Sequence, residues 1–548
     1  MNNRIIVLTI FLILLSFSGC MTLKVSDLEA IDRNPGWNGD KYVHLDAGWI
    51  QGEEDSDETW VWKGIPYAAP PVGDLRWKAP RPVEPWNDVR KTVRFAPKAT
   101  QFIPLLKGPV SGEEDCLYLN IWRPKTLEQN LPVYVWIHGG GNSIGSSTSD
   151  DYLGYALASR SNAVFVSINY RLGPLGWFRH PALQTDNKLD NSGNYGLLDI
   201  IAALRWIRDN IEGFGGDPGN VTLSGESAGA NNTLALMLSP EADGLFHKAI
   251  VQSGYRRSVS TGEAEKHSMD IAAYLIEKNG LEKEQLSSEE IKKLLLESSP
   301  KDLFKFYEPG ITGMIDNPYH IEDGFVFPEG GFSRFDTGDY PNKVPMIVGS
   351  NKDEMKMFLF FDSTIDWKSD LYQYVSEIGS LRFKEEGVDS IAAAINRNSG
   401  PPVYAYRFDW GSPDEEEESP LPGKRGQRLG AFHTLEIPFF LGLDTINGSL
   451  FTSLVFNRHN EEGRRNLTGT IMDYTANFIW NGSPDRGRPV PLDWPVWDEE
   501  NRYLVFNTKD DKAVITTDDK IITRDERLNQ LKSELGPGEY AELLERTE

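Results

Sequence analysis

Residues 221–229 read VTLSGESAG. Val221–Leu223 is a short β-rich run. It enters Gly225-Glu226-Ser227-Ala228-Gly229, and a helix-compatible segment follows. A strand, a very tight turn and a helix place the central serine at the head of the helix with its hydroxyl exposed, the arrangement of a nucleophile elbow. The two glycines are steric requirements, since a side chain two residues before or after the serine would collide with the neighbouring strand and helix. The helix N-terminus favours the negative charge that develops at such a serine. The five-residue pattern alone is short enough to recur by chance. Its weight comes from the segments around it.

Moving outward, the neighbouring segments alternate short apolar runs with helical periodicity. Leu131–Ile137, Ala163–Ile168, Ala249–Val251, Val344–Val348 and Val403–Phe408 are candidate buried strands alongside Val221–Leu223. Leu197–Asn210 has helical spacing, with Ile200, Leu204 and Ile207 on one side. This alternation predicts an α/β fold with a mostly parallel central sheet flanked by helices. Tyr42–Ile50 and Thr59–Lys63, separated by the acidic turn GEEDSDE, are expected to pair as an N-terminal antiparallel hairpin. The Glu-, Lys- and Leu-rich stretch from about 260 to 315 reads as a helical insertion, and DEEEE at 414–418 as a solvated loop.

A serine hydroxyl needs a base within hydrogen-bond reach, and that base needs an orienting carboxylate. Behind an elbow of this kind the chain order is serine, acid, histidine. The sequence has 8 histidines. His44, His138 and His180 precede Ser227, and His247, His267 and His320 leave little room for an acid-bearing strand. Two late candidates remain. His459 lies in the polar FNRHNEEGRR, where a surface role fits better. His433 lies in LGAFHTLEIPFF, just before an apolar run, where it could equally be a packed core histidine. The acid should follow a strand, and VPMIVGSNKDEM supplies one with two carboxylates, Asp353 and Glu354. Local reasoning does not choose between them. The oxyanion needs preorganised N–H donors: the amide after the nucleophile, Ala228, and a glycine loop after an early strand. His138-Gly139-Gly140-Gly141 follows VYVWI and fits that role. A phosphate-binding loop is excluded, because neither G-x-x-x-x-G-K-[ST] nor a G-x-G-x-x-G dinucleotide context is present.

These pieces together resemble one family, the type-B carboxylesterases, which include bacterial esterases, fungal lipases and the cholinesterases. The resemblance runs over roughly residues 40–510. It is carried by WKGIPYAAPPVGDLRW (62–77), EDCLYLNIW (114–122), NYRLGPLGWF (169–178), the continuous block from Gly193 to Gly229, and VQSG (251–254). It implies the α/β-hydrolase fold and a carboxylic ester hydrolase with Ser227, Glu354 and His433 as triad. His433 matches the family pattern G-x-x-H-x-x-E/D-x-P-F. The resemblance further implies Gly140, Gly141 and Ala228 as oxyanion donors, and Arg76–Glu114 and Arg171–Asp199 as structural ion pairs. Three departures stand out. The upstream FAPKATQF lacks the cysteine that the family usually pairs with that of EDCLYLN, so Cys116 is expected to be free. The loop Gln101–Glu113 is short and has no tryptophan, so choline esters are not expected substrates. Asn142 stands where the family usually has an aromatic, which is expected to put a polar side chain at the rim of the oxyanion loop and to reshape the acyl or alcohol pocket.

The 548 residues carry 56 basic and 81 acidic side chains, a formal charge of −25. Such a surface repels polyphosphate and argues against nucleic acid as a partner. Residues 1–20, MNNRIIVLTIFLILLSFSGC, combine Arg4, an apolar run too short to span a bilayer comfortably, and small residues before Cys20. This resembles a bacterial lipoprotein signal peptide, with Cys20 as the lipid attachment site and 21–40 as a tether. Phe17 departs from the leucine usual there. Residues 41–548 are expected to form one catalytic domain, held by its lipid anchor on a membrane outside the cytoplasm and acting on a small-molecule ester. No metal or cofactor is expected. The oligomeric state has no sequence signature. An inactive surface-binding protein on the same fold, and a lipase acting on aggregated lipid, are the alternatives.

Overall fold

The computed structural model describes residues 36–104, 106, 108–498, 503–518 and 522–547, with the backbone alone at 449 and 450. Residues 1–20 with Cys20, and most of the 21–40 tether, lie outside the described residues.

One 11-stranded sheet organises the chain. Its strands are β1 (Glu53–Asp55), β2 (Thr59–Pro66), β3 (Tyr118–Pro124), β4 (Leu131–Ile137), β5 (Val164–Ile168), β6 (Gly216–Glu226), β7 (Lys248–Gln252), β8 (Met346–Asn351), β9 (Val403–Phe408), β10 (Tyr503–Lys509) and β11 (Lys512–Asp518). Their spatial order is β11-β10-β9-β8-β7-β6-β4-β5-β3-β2-β1. From β5 to β10 every pairing is parallel, and the outer strands at both edges pair antiparallel.

The inner strands are apolar at nearly every position because both faces are covered. Side chains alternate between the faces. Val133, Val135 and Ile137 of β4 join the core that includes Leu197, Ile200, Leu204 and Ile207 of α1 (Tyr195–Asn210). Tyr134 and Trp136 of the same strand enter the opposite core. There they join Phe439 and Phe440, and Leu467, Ile471 and Phe478 of a long helix, Glu461–Asn481. Between 260 and 315 the chain forms helices at Thr261–Lys278, Ser288–Glu297 and Pro300–Phe304. The first two open on capping boxes, Ser260 with Glu263 and Ser287 with Glu290.

The N-terminal hairpin differs from its expectation. Tyr42–Leu45 and Gly48–Gln51 pair with each other, in a small separate sheet. Burial changes parity between Val43 and Leu45 on one side and Ile50 on the other, so the chain must turn between them. The hairpin partner of β2 is instead β1, inside the acidic stretch expected to be a turn, and β3 lies on its other side. A charged edge strand is a common way to keep a sheet edge from recruiting another chain. The carboxylates there have partners: Asp55 accepts from Trp122 Nε1 at 2.8 Å, and Glu54 pairs with Lys125 at 2.6 Å. A second hairpin, β10–β11, closes the other edge through Asp510 and Asp511, both at positive φ.

Candidate active site

The site forms where β4, β6, β7 and β8 end. At the tip of β6, Ser227 has φ 55° and ψ −121°, and α2 (Ala228–Leu238) begins at the next residue. A non-glycine residue in this region stores backbone strain of about 1–3 kcal/mol and persists only when its surroundings hold it. Here they do: Ser227 N–H donates to Gln252 O at 2.9 Å, and Asn231 N–H donates to Ser227 O at 3.0 Å. The glycine requirement is visible in the contacts. A Cβ on Gly225 would lie 2.4 Å from the carbonyl carbon of Gly229, and one on Gly229 would lie 2.0 Å from Ile137 O.

The glycine loop follows β4 directly. Gly140, Gly141 and Asn142 all have positive φ, at 103°, 62° and 52°. A Cβ on Gly139 would stand 3.1 Å from that of Ser227, so the loop runs close beside Ser227. The amides of Gly140 and Gly141 have no acceptor among the described residues. Ala228 opens a helix, where the N–H has no intrahelical acceptor. His138 is buried and stacks on Tyr170 at 4.5 Å. Burial lowers its pKa to about 4, so it stays neutral.

The structure brings Glu354, and not Asp353, to the histidine. Glu354 Oε2 lies 2.5 Å from His433 Nδ1, and its Oε1 accepts from Asn351 N–H at 2.7 Å. Asp353 turns the other way, to Lys356 at 3.1 Å, to the Ala431 amide at 3.1 Å and to the Ser412 hydroxyl. His459 is exposed, and its amide donates to Asn457 Oδ1 at 2.8 Å. The other ring nitrogen of His433, Nε2, lies 3.1 Å from Glu226 Oε1. The Ser227 hydroxyl has no side-chain partner among the described residues.

A scan of the chain against protein-family models matches the carboxylesterase family over residues 39–385 and 372–522. The chain belongs to this family. It is 33% identical to the para-nitrobenzyl esterase of Bacillus subtilis over 477 residues, covering 81% of this chain and 90% of the relative. It is also 33% identical to a fumonisin B1 esterase of Sphingopyxis macrogoltabida over 499 residues, covering 85% and 86%. Among solved structures it resembles a para-nitrobenzyl esterase with a TM-score of 0.69 at 29% identity, covering 91% of this chain and 99% of that one. A carboxylesterase of Geobacillus stearothermophilus also matches with a TM-score of 0.69, at 28% identity, covering 87% and 98%. The protein is a carboxylic ester hydrolase of the type-B class on the α/β-hydrolase fold.

Two carboxylates of this carboxylesterase's site escaped the sequence reading. Glu226 and Glu436 are fully buried beside His433, Glu226 directly before Ser227 and Glu436 three residues after His433. Glu436 accepts from Ser253 Oγ at 3.1 Å and from Asn351 Nδ2 at 2.5 Å. Burial raises Glu226 to about 8 and Glu436 to about 7. Burial alone would lower His433, but Glu226 and Glu354 outweigh it and raise the imidazole to about 9. Phe358 and Phe383 stand 5.3 and 5.4 Å from the imidazole and help exclude water from it.

Asn142 corrects an expectation. Its side chain does not stand at the rim of the glycine loop. It is buried, turned inward against Asn232 of α2. The two ion pairs form as bidentate bridges, Arg76 to Glu114 at 2.6 Å through both oxygens, and Arg171 to Asp199 at 2.7 and 2.8 Å. Cys116 is free and buried. The nearest thing to a metal-binding arrangement among the described residues is Asp414, Glu416 and Glu418, exposed residues whose oxygens lie within 4.8 Å of one another.

Proposed function

We propose that the esterase works through an acyl-enzyme on Ser227. His433 removes the hydroxyl proton as the serine attacks the ester carbonyl. Glu354 orients the imidazole and stabilises its cation. The amides of Gly140, Gly141 and Ala228 receive the oxyanion. The imidazolium then gives its proton to the leaving alcohol, and water releases the acid by the same route. The observation that carries this reading is the 2.5 Å contact of Glu354 with His433 Nδ1, which leaves Nε2 at the Glu226–Ser227 end of β6. In the free enzyme Nε2 rests on Glu226. In the catalytic step Nε2 exchanges Glu226 for the hydroxyl of the adjacent Ser227, a contact of the kind that tightens when substrate binds. Replacing Ser227 with alanine should abolish both hydrolysis of p-nitrophenyl acetate and labelling by a fluorophosphonate. An alanine variant that turns over like wild type would overturn the mechanism.

We also propose that residues 41–548 act as one catalytic unit, since the sheet draws its strands from Glu53 to Asp518. In this reading Cys20 carries a lipid that holds the enzyme on a membrane outside the cytoplasm. No helix among the described residues is long and apolar enough to cross a membrane. A Cys20→Ala variant should leave the membrane fraction without detergent. Retention there would count against the anchor.

A further inference from the structure

The glycine loop and the nucleophile helix must keep a fixed spacing, because the oxyanion donors come from both. Gly140 and Gly141 lie on the loop, and Ala228 opens α2. A buried amide pair joins these two elements. Asn232 Nδ2 donates to Asn142 Oδ1 at 2.9 Å, and Asn142 Nδ2 donates to Asn232 Oδ1 at 3.3 Å. Asn142 follows Gly141 directly, and Asn232 lies one turn beyond Ala228. Each amide has a second partner from elsewhere in the fold. The Tyr170 hydroxyl reaches Asn142 Oδ1 at 3.2 Å and His138 O, at the loop's start, at 2.8 Å. His320 Nε2 lies 2.8 Å from Asn232 Oδ1. All four side chains are buried, and burial lowers His320 to about 4, so no charge enters the network. The Asn142 carbonyl accepts from Gly173 N–H at 2.7 Å, which fixes the backbone end of the same residue.

We infer that the Asn142–Asn232 pair is a positioning device that sets the distance between the two halves of the oxyanion hole. This rests on the serine mechanism proposed above. An aromatic residue at 142 could pack against a helix but could not exchange two directed hydrogen bonds with it. Asn is also among the few non-glycine residues that readily take the positive φ found here. Both side chains of the pair are buried, closed off from solvent. The pair's effect runs through the amides it holds, and it should appear in the transition state more than in substrate binding.

The test uses Asn142→Gly, which keeps the backbone conformation and removes the amide, Asn232→Ala, and the double variant, with Ser227→Ala as control. Rates are expressed per serine titrated with a fluorophosphonate, so unfolded protein does not count. Each single variant should lose about tenfold in kcat, less than the loss of an oxyanion donor outright. KM should stay within about twofold. The double variant should be no worse than the poorer single one, because both remove the same link. Affinity for a trifluoromethyl ketone, which mimics the tetrahedral adduct, should fall in step with kcat/KM. Asn232→Ser, which keeps a hydroxyl near His320 but is too short to bridge to Asn142, gives the same reading if the alanine variant does not fold. Unchanged kcat per titrated site, or a loss confined to KM or to thermal stability, would overturn the inference while leaving the serine mechanism intact. Full activity in Ser227→Ala would remove both.

Discussion

Substituting alanine for Gly229 adds one methyl group at the crossing of the nucleophile helix and β4. That Cβ would sit 2.0 Å from Ile137 O, 2.8 Å from its carbonyl carbon and 3.0 Å from His138 O. Real Cβ contacts essentially never fall below 3.0 Å, so the closest approach must open from 2.0 Å by a full ångström. The obstructing atoms are backbone and cannot rotate away. They belong to the last residue of β4 and the first of the glycine loop, so the displacement passes into the loop whose amides are proposed above as oxyanion donors. Overpacking of this kind costs about 1–3 kcal/mol in stability. A misplacement of about 1 Å at reacting groups costs on the order of 100-fold in rate. The expectation is a lower midpoint in urea together with a kcat about 100-fold down on p-nitrophenyl acetate, per active site titrated. Gly262→Ala is the control. It lies inside Thr261–Lys278, its Cβ would meet nothing nearer than 4.0 Å, and it should keep its rate and gain roughly 0.5–1 kcal/mol. A Gly229→Ala enzyme with wild-type kcat would show that the elbow tolerates the methyl group, and the steric reading of the motif would fall.

Other outcomes follow from the same contacts. Glu354→Gln should lower kcat by about 10³–10⁴ by disturbing the imidazole it orients, whereas Asp353→Asn should show its effect in unfolding and leave kcat near wild type. In the proposed mechanism the base is neutral His433, so activity is lost as pH falls through its pKa. Because that value is raised to about 9 from 6.5, the acid limb of kcat/KM should lie above the ordinary imidazole range. Glu226→Gln removes one of the charges that raise it and should move that limb down by roughly 1–3 pH units, and a limb that stays in place would exclude the coupling. Asp199→Asn leaves the buried Arg171 guanidinium without its counter-charge and should cost about 3–5 kcal/mol in denaturant unfolding, with little change in KM.

The local chemistry of this protein was legible in the chain. Gly225 and Gly229 announce a turn too tight for side chains, and tightness is a property of a few consecutive residues. The apolar runs of β4 to β9 announce strands buried on both faces, because burial on both sides leaves no polar alternation. Edge strands carry no such mark, and β1 hides in an acidic stretch because one of its faces meets water. The choice between Asp353 and Glu354 was closed to local reasoning, since adjacent residues leave a turn in opposite directions and only the position of His433, 79 residues on from Glu354, decides which one meets it. The same holds for Glu226, Glu436 and the Asn142–Asn232 pair. A motif states what a backbone must do over five or ten residues. Which side chains share a buried space depends on how the strands order themselves, and that order is set by packing across the whole sheet. The strand, tight turn and helix around Ser227 were therefore readable from VTLSGESAG and its flanks, while the carboxylate that His433 Nε2 rests on, and the amides that join the glycine loop to α2, became visible only once the fold had brought them together.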